Sequence, residues 1–234
     1  MNKKKLFIAT SSFAKDYPKL LNDLRKNKVQ FQLNPLGKKL NKSEILKYAI
    51  NSTHLVAGTE KYDVEILNKL KHLRLIFRLG SGTENIDLDF ALKKNIKILK
   101  PKITLEKAVG ELTIGLILNL LRKINTHDKN LKLKIWKKEM GNLLYKKNVG
   151  IIGYGKIGNY VGKLAKAFGA NILINDVKNI KNKTNLKNIF KYSDIVTIHS
   201  NFIKQDFKLI NKKYLKFLKK NSIIINTSRS EIID

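Results

Sequence analysis

The 234-residue chain contains no cysteine, which excludes disulfides and thiolate metal sites. Histidine is scarce too: His54, His72, His127 and His199 are the only four, and none are spaced as a metal-ligating pair. Proline occurs three times, and neither a long disordered tract nor a short-period repeat breaks the chain. Long hydrophobic runs are missing. The longest, Leu112 to Leu121, is interrupted by Thr113 and Asn119 and falls short of the roughly 20 residues that cross a bilayer. The opening MNKKKLFIATSS carries an apolar run of only Leu6 to Ala9, whereas a secretory signal needs about 7–15 apolar residues. The expectation is a soluble, cytoplasmic protein with no membrane partner.

Acidic residues are few, 18 against 48 basic ones, for a net charge of +30. Arginine is rarer still, confined to Arg25, Arg74, Arg78, Arg122 and Arg229. The excess is therefore lysine, spread in doublets from Lys38-Lys39 to Lys219-Lys220 beside abundant asparagine and isoleucine. That pattern fits the codon bias of an AT-rich genome and a solvated basic surface. Specific nucleic-acid readers favour arginine's planar fork, so nucleic-acid binding is not expected.

What is present is enough for a core: hydrophobic residues make up 43% of the chain, and the length fits one or two domains. Short apolar runs alternate with amphipathic stretches. Strands are expected at Leu6–Ala9, Val29–Leu33, Leu55–Ala57, Leu75–Arg78 and Ile96–Leu99, with helices near Tyr17–Lys26, Ser43–Ile50, Asp63–Leu70 and Asp87–Lys93. Such alternation predicts a parallel sheet covered on both faces. Pro101 then breaks the pattern, and Thr104 is a candidate N-cap for a long helix through Arg122. Gly110 and Gly115 in that helix would suit close packing between two domains. A second helix is expected at about Asn125–Lys138. Alternation restarts with strands Val149–Ile152, Ile172–Asn175, Ile195–Ile198 and Ile223–Ile225, separated by helices Ile157–Phe168, Leu186–Phe190 and Lys212–Leu218. The expected division is 1–100 and 101–234, both α/β.

The strongest motif is VGIIGYGKIGNYVGKLAKAFGANILINDV. Gly153, Gly155 and Gly158 form a G-x-G-x-x-G that follows an apolar strand and opens an amphipathic helix. A second strand then ends at Asp176, 18 residues beyond Gly158 and close to the spacing of a dinucleotide fingerprint. Gly153 would permit the tight turn, Gly155 the approach of a pyrophosphate and Gly158 close helix–strand packing, while the helix N-terminus offers N–H groups to phosphate. Asp176 would accept hydrogen bonds from ribose hydroxyls and repel a 2′-phosphate, which points to NAD rather than NADP. A second stretch, FRLGSGTENID, places Gly80 and Gly82 after a strand, where backbone could lie against an anion or simply turn.

In order and spacing, RLGSGTENID, AVGELTIGLILNLLR, the glycine-rich stretch and SDIVTIHS…IIINTSRSEIID make the chain resemble the D-isomer-specific 2-hydroxyacid dehydrogenases, the group containing D-3-phosphoglycerate dehydrogenase. The resemblance covers essentially the whole chain. It implies a flavodoxin-like substrate domain joined to a Rossmann NAD domain, both doubly wound, with the active site in the cleft and a homodimer as the assembly. By position, Lys156 and Ile157 would line the pyrophosphate and Asp176 the adenosine ribose. Ser81, Ser200 and Thr227 would sit near the nicotinamide half, and Leu79 and Gly80 would present backbone to the substrate carboxylate. Arg229 matches the catalytic arginine that holds the carboxylate and carbonyl of a 2-oxo acid.

Departures from the family pattern are Ser230, which replaces a usual glycine, and Asn201, which replaces a usual proline. The resemblance also implies an acid/base histidine and a glutamate downstream of Arg229, beyond Asp234. His199 matches a strand-end histidine upstream, not that acid. With a strand order of 3-2-1-4-5-6-7 in the second domain, Ile223–Ile225 would be the fifth strand and an edge, and the last strands would be missing. The expectation is an oxidoreductase transferring hydride between NAD(H) and a 2-hydroxy or 2-oxo acid, 3-phosphoglycerate among the candidates, with turnover impaired. The alternatives are a non-catalytic NAD-binding scaffold, or half of a split enzyme.

Overall fold

A computed structural model describes residues 5–80, 82–102, 105–200 and 207–234. They fall into two compact units, Met1–Ile103 and Thr104–Asp234. In the first unit, strands β1 (Lys5–Ile8), β2 (Gln30–Leu33), β3 (His54–Ala57), β4 (Leu75–Arg78) and β5 (Lys97–Leu99) alternate with helices α1 (Lys19–Lys26), α2 (Lys42–Ala49), α3 (Val64–Lys69) and α4 (Leu88–Lys93). All strand pairs are parallel in the order β2-β1-β3-β4-β5. This flavodoxin-like winding puts the loops at the carboxyl ends of β1 and β3 beside the point where strand order reverses, with the β4 tip next to β3.

Local sequence explains the helix starts. Asn41 and Glu44 form a reciprocal capping box at α2, and the carboxylates of Asp63 and Asp87 accept first-turn N–H groups of α3 and α4. Phe7, Leu55, Ile66, Leu67 and Ile76 are among the buried side chains of the core. Each contributes roughly 1.5–3 kcal/mol by leaving water.

The second unit opens with α5 (Glu106–Arg122) and α6 (Ile124–Lys132). They are followed by β6 (Asn148–Ile152), α7 (Lys156–Ala167), β7 (Asn171–Asn175), α8 (Leu186–Tyr192), β8 (Ile195–Ile198), α9 (Lys212–Leu215) and β9 (Ile223–Asn226). A 3₁₀ turn at Ser230–Ile232 comes last. The four described strands pair in parallel in the order β7-β6-β8-β9. Side-chain alternation sorts the strands between two cores. Val149, Ile151 and Ile195 face α5 and α7, whereas Ile152, Val196 and Ile198 pack with Ile189 and Phe190 of α8.

Several expectations shift. The second helix stops at Lys132 rather than Lys138, because Lys134 turns left-handed at φ 58°. Lys123, at φ 54°, separates α5 from α6 without glycine or proline. The strand whose tip leads to Arg229, β9, is the fourth of the described sheet, and outside β7 a single bridge, Ile174 to Lys183, stands where a further strand was expected. Gly110 serves packing within the unit: a Cβ there would meet the Tyr160 ring of α7 at 2.5 Å, while the space around Gly115 is open. Thr104, proposed as an N-cap, and Asn201 lie outside the described residues, and α5 begins after Leu105 with no side-chain cap.

Candidate active site

In the second unit the loops after β6, β7, β8 and β9 carry most of the residues singled out above. The turn after β6 starts at Gly153 with φ 87°, a conformation that favours glycine. A Cβ there would also press on the backbone of His199 and Ser200, so this turn lies hard against the tip of β8. Gly158 packs its α-carbon on the Gly153 carbonyl and leaves no room for a side chain. Gly155 differs: its φ is negative and nothing stands within 4 Å of where a Cβ would be, so the approach above it is open. As N-cap of α7 it supplies no side chain to the first-turn N–H groups of Lys156 and Ile157. Uncapped N–H groups with a helix dipole behind them suit an anion.

Asp176 follows β7. Its Oδ2 accepts the Tyr154 N–H at 2.6 Å and its Oδ1 the Lys178 N–H at 2.8 Å, which fixes the carboxylate beside the glycine turn. At the tip of β8 the Ser200 Oγ is buried with no hydrogen-bond partner among the described residues, while its carbonyl accepts the Ser228 hydroxyl at 2.6 Å. A buried hydroxyl without a partner costs free energy unless a ligand supplies one. An open glycine turn, an uncapped helix start and this hydroxyl together fit a dinucleotide.

His199 sits in a chain of hydroxyls. Its Nε2 lies 2.9 Å from Thr197 Oγ1 and its Nδ1 3.3 Å from Thr227 Oγ1, which is 3.3 Å from Thr113 Oγ1 on α5. Thr113 donates to the Val109 carbonyl at 2.8 Å, so its one proton is committed. Thr227 must then donate to Thr113, His199 Nδ1–H to Thr227, and Thr197 to Nε2. Every group is satisfied with the imidazole neutral. Burial lowers its pKa from 6.5 to about 4, so this histidine holds the tip of β9 and does not exchange protons near neutrality. Thr227 is thus engaged by α5 and β8.

Beyond β9, the Asn226 side chain accepts the Ser228 N–H at 3.0 Å and donates to the Arg229 carbonyl at 2.9 Å, closing a tight turn. Half-buried Arg229 is held in extended backbone and donates from Nη1 to the Ser228 carbonyl at 3.1 Å.

In the first unit, the Leu79 N–H continues the sheet by donating to the Ala57 carbonyl at 2.8 Å. Of the Leu79–Gly80 pair, only the Gly80 N–H is without an acceptor among the described residues. Ser81 lies outside the described residues. Beneath this tip are three polar side chains that periodicity did not mark: Glu60, 2% exposed, Arg78, 6% exposed, and partly buried Asn85. The clue in the sequence is Arg78 itself, one of five arginines among 48 basic residues, at the last position of a strand. Nearby Tyr62 is fully buried, and burial, with the Glu60 charge adding to it, raises its phenol pKa well above 10. Among the described residues no group of acidic or histidine side chains could hold a metal, and no helix is long and apolar enough to cross a membrane.

Fold and site define a two-unit α/β protein with a dinucleotide site in its second unit. Residues 114–234 match the model of the D-isomer specific 2-hydroxyacid dehydrogenase NAD binding domain. The chain is 32% identical over 208 residues to D-3-phosphoglycerate dehydrogenase of Methanocaldococcus jannaschii, covering 83% of this chain and 40% of that one. It is also 32% identical over 211 residues to hydroxypyruvate reductase of Thermotoga maritima, covering 87% of this chain and 69% of that one. Among solved structures, NAD+-bound 3-phosphoglycerate dehydrogenase of Entamoeba histolytica superposes with a TM-score of 0.80 at 23% identity, over 99% of this chain and 74% of that chain. The protein belongs to the D-isomer specific 2-hydroxyacid dehydrogenase family, and residues 114–234 of its second unit carry the match to that family's NAD-binding domain.

Proposed function

We propose that this chain serves an NAD-dependent oxidation of a small 2-hydroxy acid, or the reverse reduction of a 2-oxo acid. The observation that carries the reading is the open glycine turn at Gly153–Gly158 with Asp176 fixed beside it. When bound, NAD supplies the hydride acceptor or donor. The α7 N-terminus at Lys156 and Ile157 holds the pyrophosphate, Asp176 the ribose hydroxyls, and Ser200 and Thr227 border the nicotinamide half, with Ser81 assigned there by resemblance. Arg229 offers a planar fork to the carboxylate and carbonyl of the acid, a geometry lysine cannot reproduce. In the first unit, Gly80 is assigned by resemblance to a substrate carboxylate through its N–H, and Leu79 contributes side-chain surface, since its own N–H serves the sheet.

We further propose a cytoplasmic homodimer. Support for the dimer is a run of exposed apolar side chains on and after α6: Leu131, Leu133, Ile135, Trp136, Met140 and Leu143, with Trp136 90% exposed. Light scattering that returned only a monomer at micromolar concentration would remove the dimer.

For the activity, NADH is titrated into the protein and its oxidation is followed with glyoxylate and hydroxypyruvate. Saturable binding with acid-dependent oxidation is expected. Binding without oxidation by any 2-oxo acid would replace this reading with the non-catalytic one.

A further inference from the structure

The Leu79–Gly80 peptide is gripped from one side. Arg78 donates from Nη1 to the Leu79 carbonyl and from Nε, at 3.2 Å, to Asn85 Oδ1. Asn85 in turn donates from Nδ2 to the carbonyls of Gly58 at 3.1 Å and Glu60 at 2.6 Å. Its own carbonyl accepts the Tyr62 N–H at 2.7 Å. Glu60 Oε2 accepts the Gly58 N–H at 2.8 Å. The loop after β3 and the tip of β4 are therefore tied through one amide and one guanidinium.

The consequence lies in peptide geometry. In a planar trans peptide the N–H points opposite to the C=O. Because the guanidinium captures the Leu79 carbonyl, the Gly80 N–H is turned away from Arg78. Gly80 itself has φ 145°, and a Cβ on it would come within 2.6 Å of Arg78 Nη1. The guanidinium occupies the space that a side chain would need. A buried polar brace meant only for stability could end at satisfied groups. This one leaves its last N–H without an acceptor among the described residues.

Resting on the reading that Gly80 receives the substrate carboxylate, we propose that Arg78, seated by Asn85 above the Glu60 loop, is a positioning residue that aims the Gly80 N–H at that carboxylate. Arginine is needed because a planar fork reaches Asn85 Oδ1 and the Leu79 carbonyl at once, which a single ammonium does not. The scarcity of arginine in this lysine-rich chain accords with that requirement.

The test uses the full chain saturated with NADH and titrated with oxalate, a non-reducible mimic of a 2-oxo acid, by calorimetry and by the ¹⁵N–¹H resonance of Gly80. Arg78→Lys should weaken oxalate roughly 10-fold while NADH affinity stays unchanged. The Gly80 resonance should shift with oxalate in the wild type and not in the variant. A merely structural brace would lower thermal stability and leave both oxalate readouts intact, and that result overturns the proposal. If Arg78→Lys does not fold, Glu60→Gln, which keeps an acceptor for Gly58, carries the test with a loss of about threefold expected; wild-type affinity there also overturns it. Oxalate binding with no Gly80 shift in the wild type rejects Gly80 as donor, and the proposal with it, while leaving Arg229 as anchor. No oxalate binding by the wild type removes the substrate reading itself.

Discussion

The two units solve one problem by opposite means. Each must fix a polar loop at the carboxyl end of a parallel sheet, where side chains leave the hydrophobic layers. At the tip of β4 the first unit uses two buried charged residues: Arg78 is tied through Asn85 to the Glu60 backbone carbonyl, and the Glu60 carboxylate holds the Gly58 N–H. At the tips of β8 and β9 the second unit uses a neutral chain, Thr197–His199–Thr227–Thr113. Buried charge holds geometry strongly but fails badly when one member is lost, since the others keep their desolvation cost. A neutral chain is milder, and it becomes sensitive to acid because protonating the imidazole removes the acceptor on which Thr197 relies.

The largest effect is expected where backbone meets backbone. Gly158→Val would drive a side chain into the Gly153 carbonyl, costing about 3 kcal/mol or more and abolishing NADH binding. Calorimetric unfolding and NADH fluorescence would measure both. Next comes Arg78→Met, which strands the Leu79 carbonyl and Asn85 Oδ1 and should cost about 2–4 kcal/mol in denaturant titration. A loss below about 1 kcal/mol would show that the guanidinium does not hold this tip.

His199 then gives the contrast in pH. Its folded pKa of about 4 lies below the unfolded 6.5, so the unfolded state binds the extra proton between them. The stability it confers is complete above 6.5 and is lost as pH falls toward 4, by about 3 kcal/mol in all. His199→Gln should flatten that window relative to the wild type; identical pH profiles would refute the neutral chain. The smallest effect is at Asp176→Asn, which weakens the grip on the Tyr154 and Lys178 N–H groups by about 1 kcal/mol. In binding assays it should reduce the preference for NADH over NADPH.

The alternation that placed β1 to β9 was visible in the residues because strand burial and helix amphipathicity have different periods. The glycine turn was equally visible, since Gly153 and Gly158 answer to backbone geometry that only glycine satisfies cheaply. The C-terminus of α6 was not. Lys134 turns left-handed without the glycine or asparagine that usually announces it. Nor was the part played by Glu60, which reads as one more charged loop residue in GTEKYD until Gly58 and Asn85 are brought over it.

Sequence alone thus determined the class of fold, the dinucleotide turn and its family, because those rest on local spacing and on conformations that few residues can adopt. Tertiary structure decided which polar groups are spent and which remain available. It consumed the Leu79 N–H in the sheet, made His199 a neutral strut, and turned the Gly80 N–H away from a guanidinium set by residues 7 and about 20 positions away along the chain. The physical reason is that hydrogen-bond satisfaction is counted over the folded neighbourhood, and no spacing along the chain records who meets whom.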